Sequence, residues 1–191
     1  MKLSRLLRCN SIAASLASLR TFTPALTLLA LCLLLPLVGC GAYLRPSPPV
    51  TSATLYQPAA LLFHFTHANP FHLIANGLAI LYFRPRWPTL ALAYHAATLA
   101  ALLYLAIAAS LAPVAGASVS AFLPLLPTCG LSAIVCAAFA RPYAARAKSP
   151  LPFIILQLPF AIIPNFNYIL HILSFLIAYY AWRILYLKTG R

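Results

Sequence analysis

The chain has 191 residues, of which 63% are hydrophobic, with 13 Lys and Arg, no Asp or Glu, and a formal net charge of +13. With a mean hydropathy of +0.93, this balance lies far outside that of a soluble domain and reads as an all-α, polytopic membrane protein. Lacking any side-chain carboxylate, the chain cannot build a Ser-His-Asp triad, a general acid/base pair of carboxylates or a carboxylate metal site, so any catalysis runs on Ser, His, Cys, Asn and backbone amides.

Residues 1–22 read as a basic cytoplasmic lead-in, and residues 23–191 as a membrane domain of six predicted spans. Pro-rich or charged stretches separate the spans. They run at about Pro24 to Leu44, Ala59 to Phe83, Thr89 to Leu111, Phe122 to Ala140, Leu151 to Ile163 and Tyr168 to Leu187. In the second, Asn69 is placed as an N-cap and Pro70 as the first helical residue, which puts His72 and Asn76 on one face at i and i+4. In the fourth, Pro127 and Gly130 interrupt the run, so regular helix is expected to resume near Ser132 and leave its N–H without an intrahelical acceptor. Pro152 and Pro159 make the short fifth span tilted, broken or re-entrant.

Twelve of the thirteen basic residues fall on one side of this six-span arrangement, leaving Arg45 opposite. The excess of positive charge marks that side as cytoplasmic, with both termini on it. The second, fourth and sixth spans then run in the same direction. At about 1.5 Å per residue, Ser132 lies roughly 14 Å above Arg141, His171 roughly 18 Å above Arg183, and His72 and Asn76 roughly 18 and 12 Å above Arg84. All four are placed near mid-membrane, where polar side chains are costly and usually face a cavity or one another. The basic residues form no continuous face, which argues against nucleic acid as a partner. The five cysteines include no CxxC pair and read as small buried residues.

The stretch His67-Ala-Asn-Pro-Phe-His72-Leu-Ile-Ala-Asn76, the motif Gly130-Leu-Ser132-Ala and His171 near the start of the last span together resemble the rhomboid intramembrane serine proteases. The resemblance covers the chain from about Pro24 onward. It implies a six-helix rhomboid-like core with Ser132 as nucleophile, His171 as general base, and His72, Asn76 and the Ser132 N–H holding the oxyanion. It also implies transmembrane segments of other proteins as substrates, the lipid bilayer as surroundings, most simply a bacterial inner membrane, and no cofactor or metal. The chain departs from the family at Ala133, where Gly is common, at Cys136, where an aromatic residue packs on the catalytic His, and in the loop from Arg45 to Pro58, which lacks a Trp-Arg motif. Ser174 and Ala178 retain a small-residue pattern after His171.

Other readings stay open on the sequence. One is a rhomboid-like protein that binds transmembrane helices without cutting them. A second is a small transporter using His as its titrating group. His64, His67 and His72 raise a metal site, but Pro70 interrupts their register. Leu37-Val38-Gly39-Cys40 resembles a lipobox, although lipidation at Cys40 would remove the first span.

Overall fold

A computed structural model describes residues 22–34, 64, 65, 67, 70–120, 131–162 and 167–190. Nearly all of the basic lead-in, Cys40, Arg45, Asn69, Pro127 and Gly130 lie outside them. Among the described residues the secondary structure is helical, with no strand, so the all-α expectation holds at that level. The helices are α1 (Phe22–Leu34), α2 (Pro70–Phe83), α3 (Trp87–Ser120), α4 (Ser132–Ala145), α5 (Leu151–Gln157) and α6 (Tyr168–Thr189). A 3₁₀ segment, Leu158–Ile162, follows α5. Among these residues, α6 is the one helix long and apolar enough by length and composition to cross a membrane. Phe22–Leu34, Pro70–Phe83 and Leu151–Phe160 are shorter apolar helices.

The boundaries have local causes. α2 opens at Pro70, whose fixed φ suits a first helical residue and whose missing N–H has no intrahelical partner to lose. α2 thus covers the later part of the predicted span from Ala59, and most of the earlier part lies outside the described residues. α5 gives way to the tighter 3₁₀ form two residues before Pro159, because the proline ring crowds the carbonyl four residues back and supplies no N–H. α6 is capped at its start by Asn167, whose Oδ1 accepts from the Leu170 N–H at 3.0 Å. It ends at Gly190, where φ is +65°, a left-handed conformation open to glycine. α3 continues past the expected end at Leu111 to Ser120, through Pro113. Proline is compatible with helix in apolar surroundings where other groups satisfy the freed carbonyl.

Small residues let the central helices approach closely. α4 presents Ala133, Ala137, Ala140 and Ala144 at helical spacing, all buried, while α3 buries Ala93, Ala97, Ala100 and Ala101 and α6 buries Ser174 and Ala178. These faces meet in the most extensive packing of the fold, α6 against α4 and α3, and α3 against α4. The contacts also fix direction. Ser132 meets His171, and Arg183 donates from Nη1 to the Ala144 carbonyl at 3.4 Å, twelve residues further along each helix. α4 and α6 are therefore parallel and in register over roughly 18 Å, the relative direction expected for the fourth and sixth spans.

α5 pairs with α6 the other way. The Phe153 and Phe175 rings stack with centroids 3.8 Å apart and planes 7° from parallel. Gln157, four residues forward on α5, meets His171, four residues back on α6. The buried phenyl stack thus sets the register that brings a carboxamide to the imidazole. Outward, α2 exposes Phe71, Ile74, Leu78 and Tyr82 on one stripe while Asn76 and Ile80 are buried on the other. The outer stripe of α2 is thus apolar, while its buried face carries one polar side chain, Asn76, beside Gly77 and Ile80.

Candidate active site

The geometry of Ser132 follows from where α4 begins. Leu131 precedes the helix with φ −68° and ψ −7° and offers no side-chain cap. The first turn closes through Val135 N–H to the Leu131 carbonyl at 2.8 Å. The Ser132 N–H therefore lies in the first turn, where no carbonyl of its own helix can reach it. The preceding N–H is engaged: Leu131 donates to His67 Nε2 at 3.5 Å, linking the segment before α2 to the residue before the serine. His67 is buried.

His171 sits in the first turns of α6, 6% exposed, with its own N–H directed to the Asn167 carbonyl at 3.3 Å. Its Nε2 lies 2.8 Å from Ser132 Oγ. Its Nδ1 lies 3.3 Å from Gln157 Oε1, and Gln157 is buried. A carboxamide oxygen only accepts, so this pairing places the imidazole hydrogen on Nδ1 and leaves Nε2 as the acceptor for the serine hydroxyl. The result is a chain of hydrogen bonds, Ser132 to His171 to Gln157, drawn from α4, α6 and α5.

α2 contributes the other two predicted residues. His72 is half-buried, and its ring meets that of His67 edge-on at 5.2 Å between centroids. Asn76, one turn further along α2, is 7% exposed, and its Nδ2 is buried without a hydrogen-bond partner among the described residues. A buried amide donor left unmade is costly, and α2 packs against α4, the helix that carries Ser132. Cys136, one turn after the serine, is half-buried with a free thiol and packs against the core.

Two residues of this cluster escaped the sequence reading. Gln157 is the single polar side chain in the otherwise apolar run Leu151–Ile163, a signal that marked it for attention, but the prolines on either side removed the helical register needed to place it. On the sequence alone His67 is one of three candidate metal ligands, with His64 and His72. Instead it accepts from Leu131, while His64 Nε2 lies 3.3 Å from Thr98 Oγ1 on α3, so the two imidazoles serve different helices. Among the described residues, no three His, Cys, Asp or Glu side chains converge as a metal site. His95 is exposed on α3, its ring edge-on to Tyr94 at 5.6 Å.

No protein-family model, curated protein or solved structure matches the chain. The chemistry open to the cluster follows from its own atoms: a hydroxyl with a neutral imidazole acceptor in hydrogen-bond contact, an oriented imidazole, a helix-start N–H beside the hydroxyl, and a spare buried amide donor nearby. Such a set can perform nucleophilic acyl transfer without a carboxylate.

Proposed function

We propose that this chain is a rhomboid-type intramembrane serine endopeptidase that hydrolyses peptide bonds in the transmembrane segments of other membrane proteins. The observation that carries the reading is the 2.8 Å approach of His171 Nε2 to Ser132 Oγ between parallel helices, in a chain with no Asp or Glu. The ordered resemblance of His67 to Asn76, Gly130 to Ala133 and His171 to the rhomboid pattern supports the same assignment. The exposed apolar faces agree with an apolar environment; six membrane-spanning segments, a bacterial inner membrane and cytoplasmic termini are part of the proposal, drawn from the hydropathy and charge pattern of the sequence.

The reaction balances within these groups. Ser132 Oγ attacks the substrate carbonyl carbon as its proton passes to His171 Nε2, and the carbonyl π electrons move to oxygen. The Ser132 N–H, Asn76 Nδ2 and the His72 imidazole stabilise that oxyanion. When the carbonyl re-forms, the C–N bond breaks and His171 returns the proton to the leaving amine. Water, deprotonated by His171, then attacks the acyl-enzyme, releasing the new carboxyl terminus and restoring the serine. Gln157 keeps the imidazole in the reactive tautomer, a task given to a carboxylate in Ser-His-Asp enzymes.

Co-reconstitution of the purified chain in proteoliposomes with single-span reporters carrying helix-breaking residues near their outer ends tests this function. Fragments cut within the reporter span are expected with wild type and absent with Ser132→Ala. Reporter binding without any Ser132-dependent fragment would instead identify a non-cleaving helix-binding protein.

A further inference from the structure

At the ends of α2 and α4 opposite the serine, a half-open pocket of about 320 Å³ is lined by Arg84, Arg86, Arg141 and Thr89. We propose that this pocket binds a phosphoryl group, carried by an anionic phospholipid headgroup or by a free phosphate. The inference does not depend on the proteolytic reading, since none of the lining residues belongs to the Ser132 cluster.

Charge is the first ground. Three arginines line the pocket, from the α2–α3 connection and from α4, and a chain with no Asp or Glu has no side-chain carboxylate to neutralise them. Like charges around one concavity repel, so their partner must come from outside the chain. The lead-in cannot supply it, because Lys2, Arg5, Arg8 and Arg20 carry the same sign.

The second ground is that the donors are held in place and unspent. The Arg84 guanidinium lies 4.2 Å over the Phe22 ring, on a backbone with φ +44°, a conformation rare outside glycine and met where the surroundings impose it. The Arg141 guanidinium lies 5.2 Å from the Trp182 ring, and its Nε is buried without a hydrogen-bond partner among the described residues. Thr89 is 4% exposed. It stands in the first turn of α3, whose earliest helical bond is Leu90 N–H to the Arg86 carbonyl. The N–H groups of that turn point the same way as the helix's positive end.

Guanidinium forks match the oxygens of a phosphate geometrically, and the size of the pocket suits a headgroup. Phe83 and Phe139 line its apolar side and meet at 4.9 Å. Beside them, Tyr82 and Leu78 leave the exposed stripe of α2 as a path for acyl chains. On the topology read from the sequence, Arg84, Arg86 and Arg141 all sit at the cytoplasmic face, where anionic headgroups lie.

Both tryptophans of the chain are reporters: Trp87 adjoins Arg86, and Trp182 lies under Arg141. The full chain in neutral detergent is titrated with short-chain phosphatidylglycerol, short-chain phosphatidylcholine and inorganic phosphate while tryptophan emission is followed. A saturable change with phosphatidylglycerol or with phosphate is expected, weakened at least tenfold by Arg86→Gln and by Arg141→Gln, weakened less by Arg141→Lys, which keeps the charge but loses the fork, and little changed by Arg146→Gln, which lies outside the pocket. Saturation by phosphatidylglycerol alone assigns the phosphoryl group to a lipid, and saturation by phosphate alone to a soluble anion. Equal affinity in wild type and both glutamine variants, or equal weakening by Arg146→Gln, would overturn the site. Because Arg86 is exposed in the connection before α3, its variant keeps the test valid if Arg141→Gln fails to fold.

Discussion

Replacing Gln157 by leucine separates a positioning role from a packing role. The substitution removes the carboxamide oxygen 3.3 Å from His171 Nδ1 while keeping a side chain of similar length in a buried position. A hydrogen bond of this kind contributes about 0.5–1.5 kcal/mol net, and each 1.36 kcal/mol in the barrier is tenfold in rate. If the bond acts by holding the Nδ1–H tautomer, the reaction of Ser132 should slow roughly 2- to 13-fold. At 3.3 Å the bond is at the long end of the usual range, which favours the lower half of that interval. Stability should fall by about 1–3 kcal/mol, because the substitution leaves the buried His171 Nδ1–H without an acceptor. The assay is the second-order rate of fluorophosphonate labelling in detergent, which needs no natural substrate, read beside thermal unfolding. Gln157→Glu keeps an acceptor oxygen and should stay nearer wild type than Gln157→Leu; Gln157→Lys, which only donates, should be slowest. An unchanged labelling rate in Gln157→Leu and Gln157→Lys, with both folded, would refute the reasoning.

Asn76→Ala should lower reporter cleavage about 10²-fold, the effect of losing one oxyanion donor, with little change in apparent substrate affinity, as measured by initial rates in proteoliposomes. Ala137→Leu puts a bulky side chain into the small-residue face of α4 and should destabilise the fold by about 1–3 kcal/mol through overpacking, measured by denaturant unfolding in mixed micelles. Phe175→Ala removes one ring of the stack that registers α5 on α6 and should cost about 3–5 kcal/mol. Labelling of Ser132 should also slow in that variant, because Gln157 is no longer held opposite His171.

The sequence made the central pair legible through an unusual route. Positive charges at the ends of apolar runs set relative heights, and these put Ser132, His171, His72 and Asn76 in one layer. The parallel register of α4 and α6, fixed by Ser132 against His171 and Ala144 against Arg183, is the same relation in the folded chain. Gln157 was not placed because height is counted along regular helix, and Pro152 and Pro159 leave α5 only seven residues of it. The role of His67 was hidden for a related reason: it precedes α2, outside any helical period, and its partner is a backbone N–H 64 residues away, a contact with no sequence signature. α3 runs past the expected end at Leu111 because the helix continues through Pro113.

The central claim is that Ser132 is a nucleophile activated by His171. Its most direct measurement is fluorophosphonate labelling of the detergent-purified chain, with the adduct located by peptide mass spectrometry. A single phosphonyl group on Ser132, absent in Ser132→Ala and strongly reduced in a folded His171→Ala variant, is the predicted result. A folded wild-type chain that takes up no label at Ser132, or labels equally without His171, would contradict it.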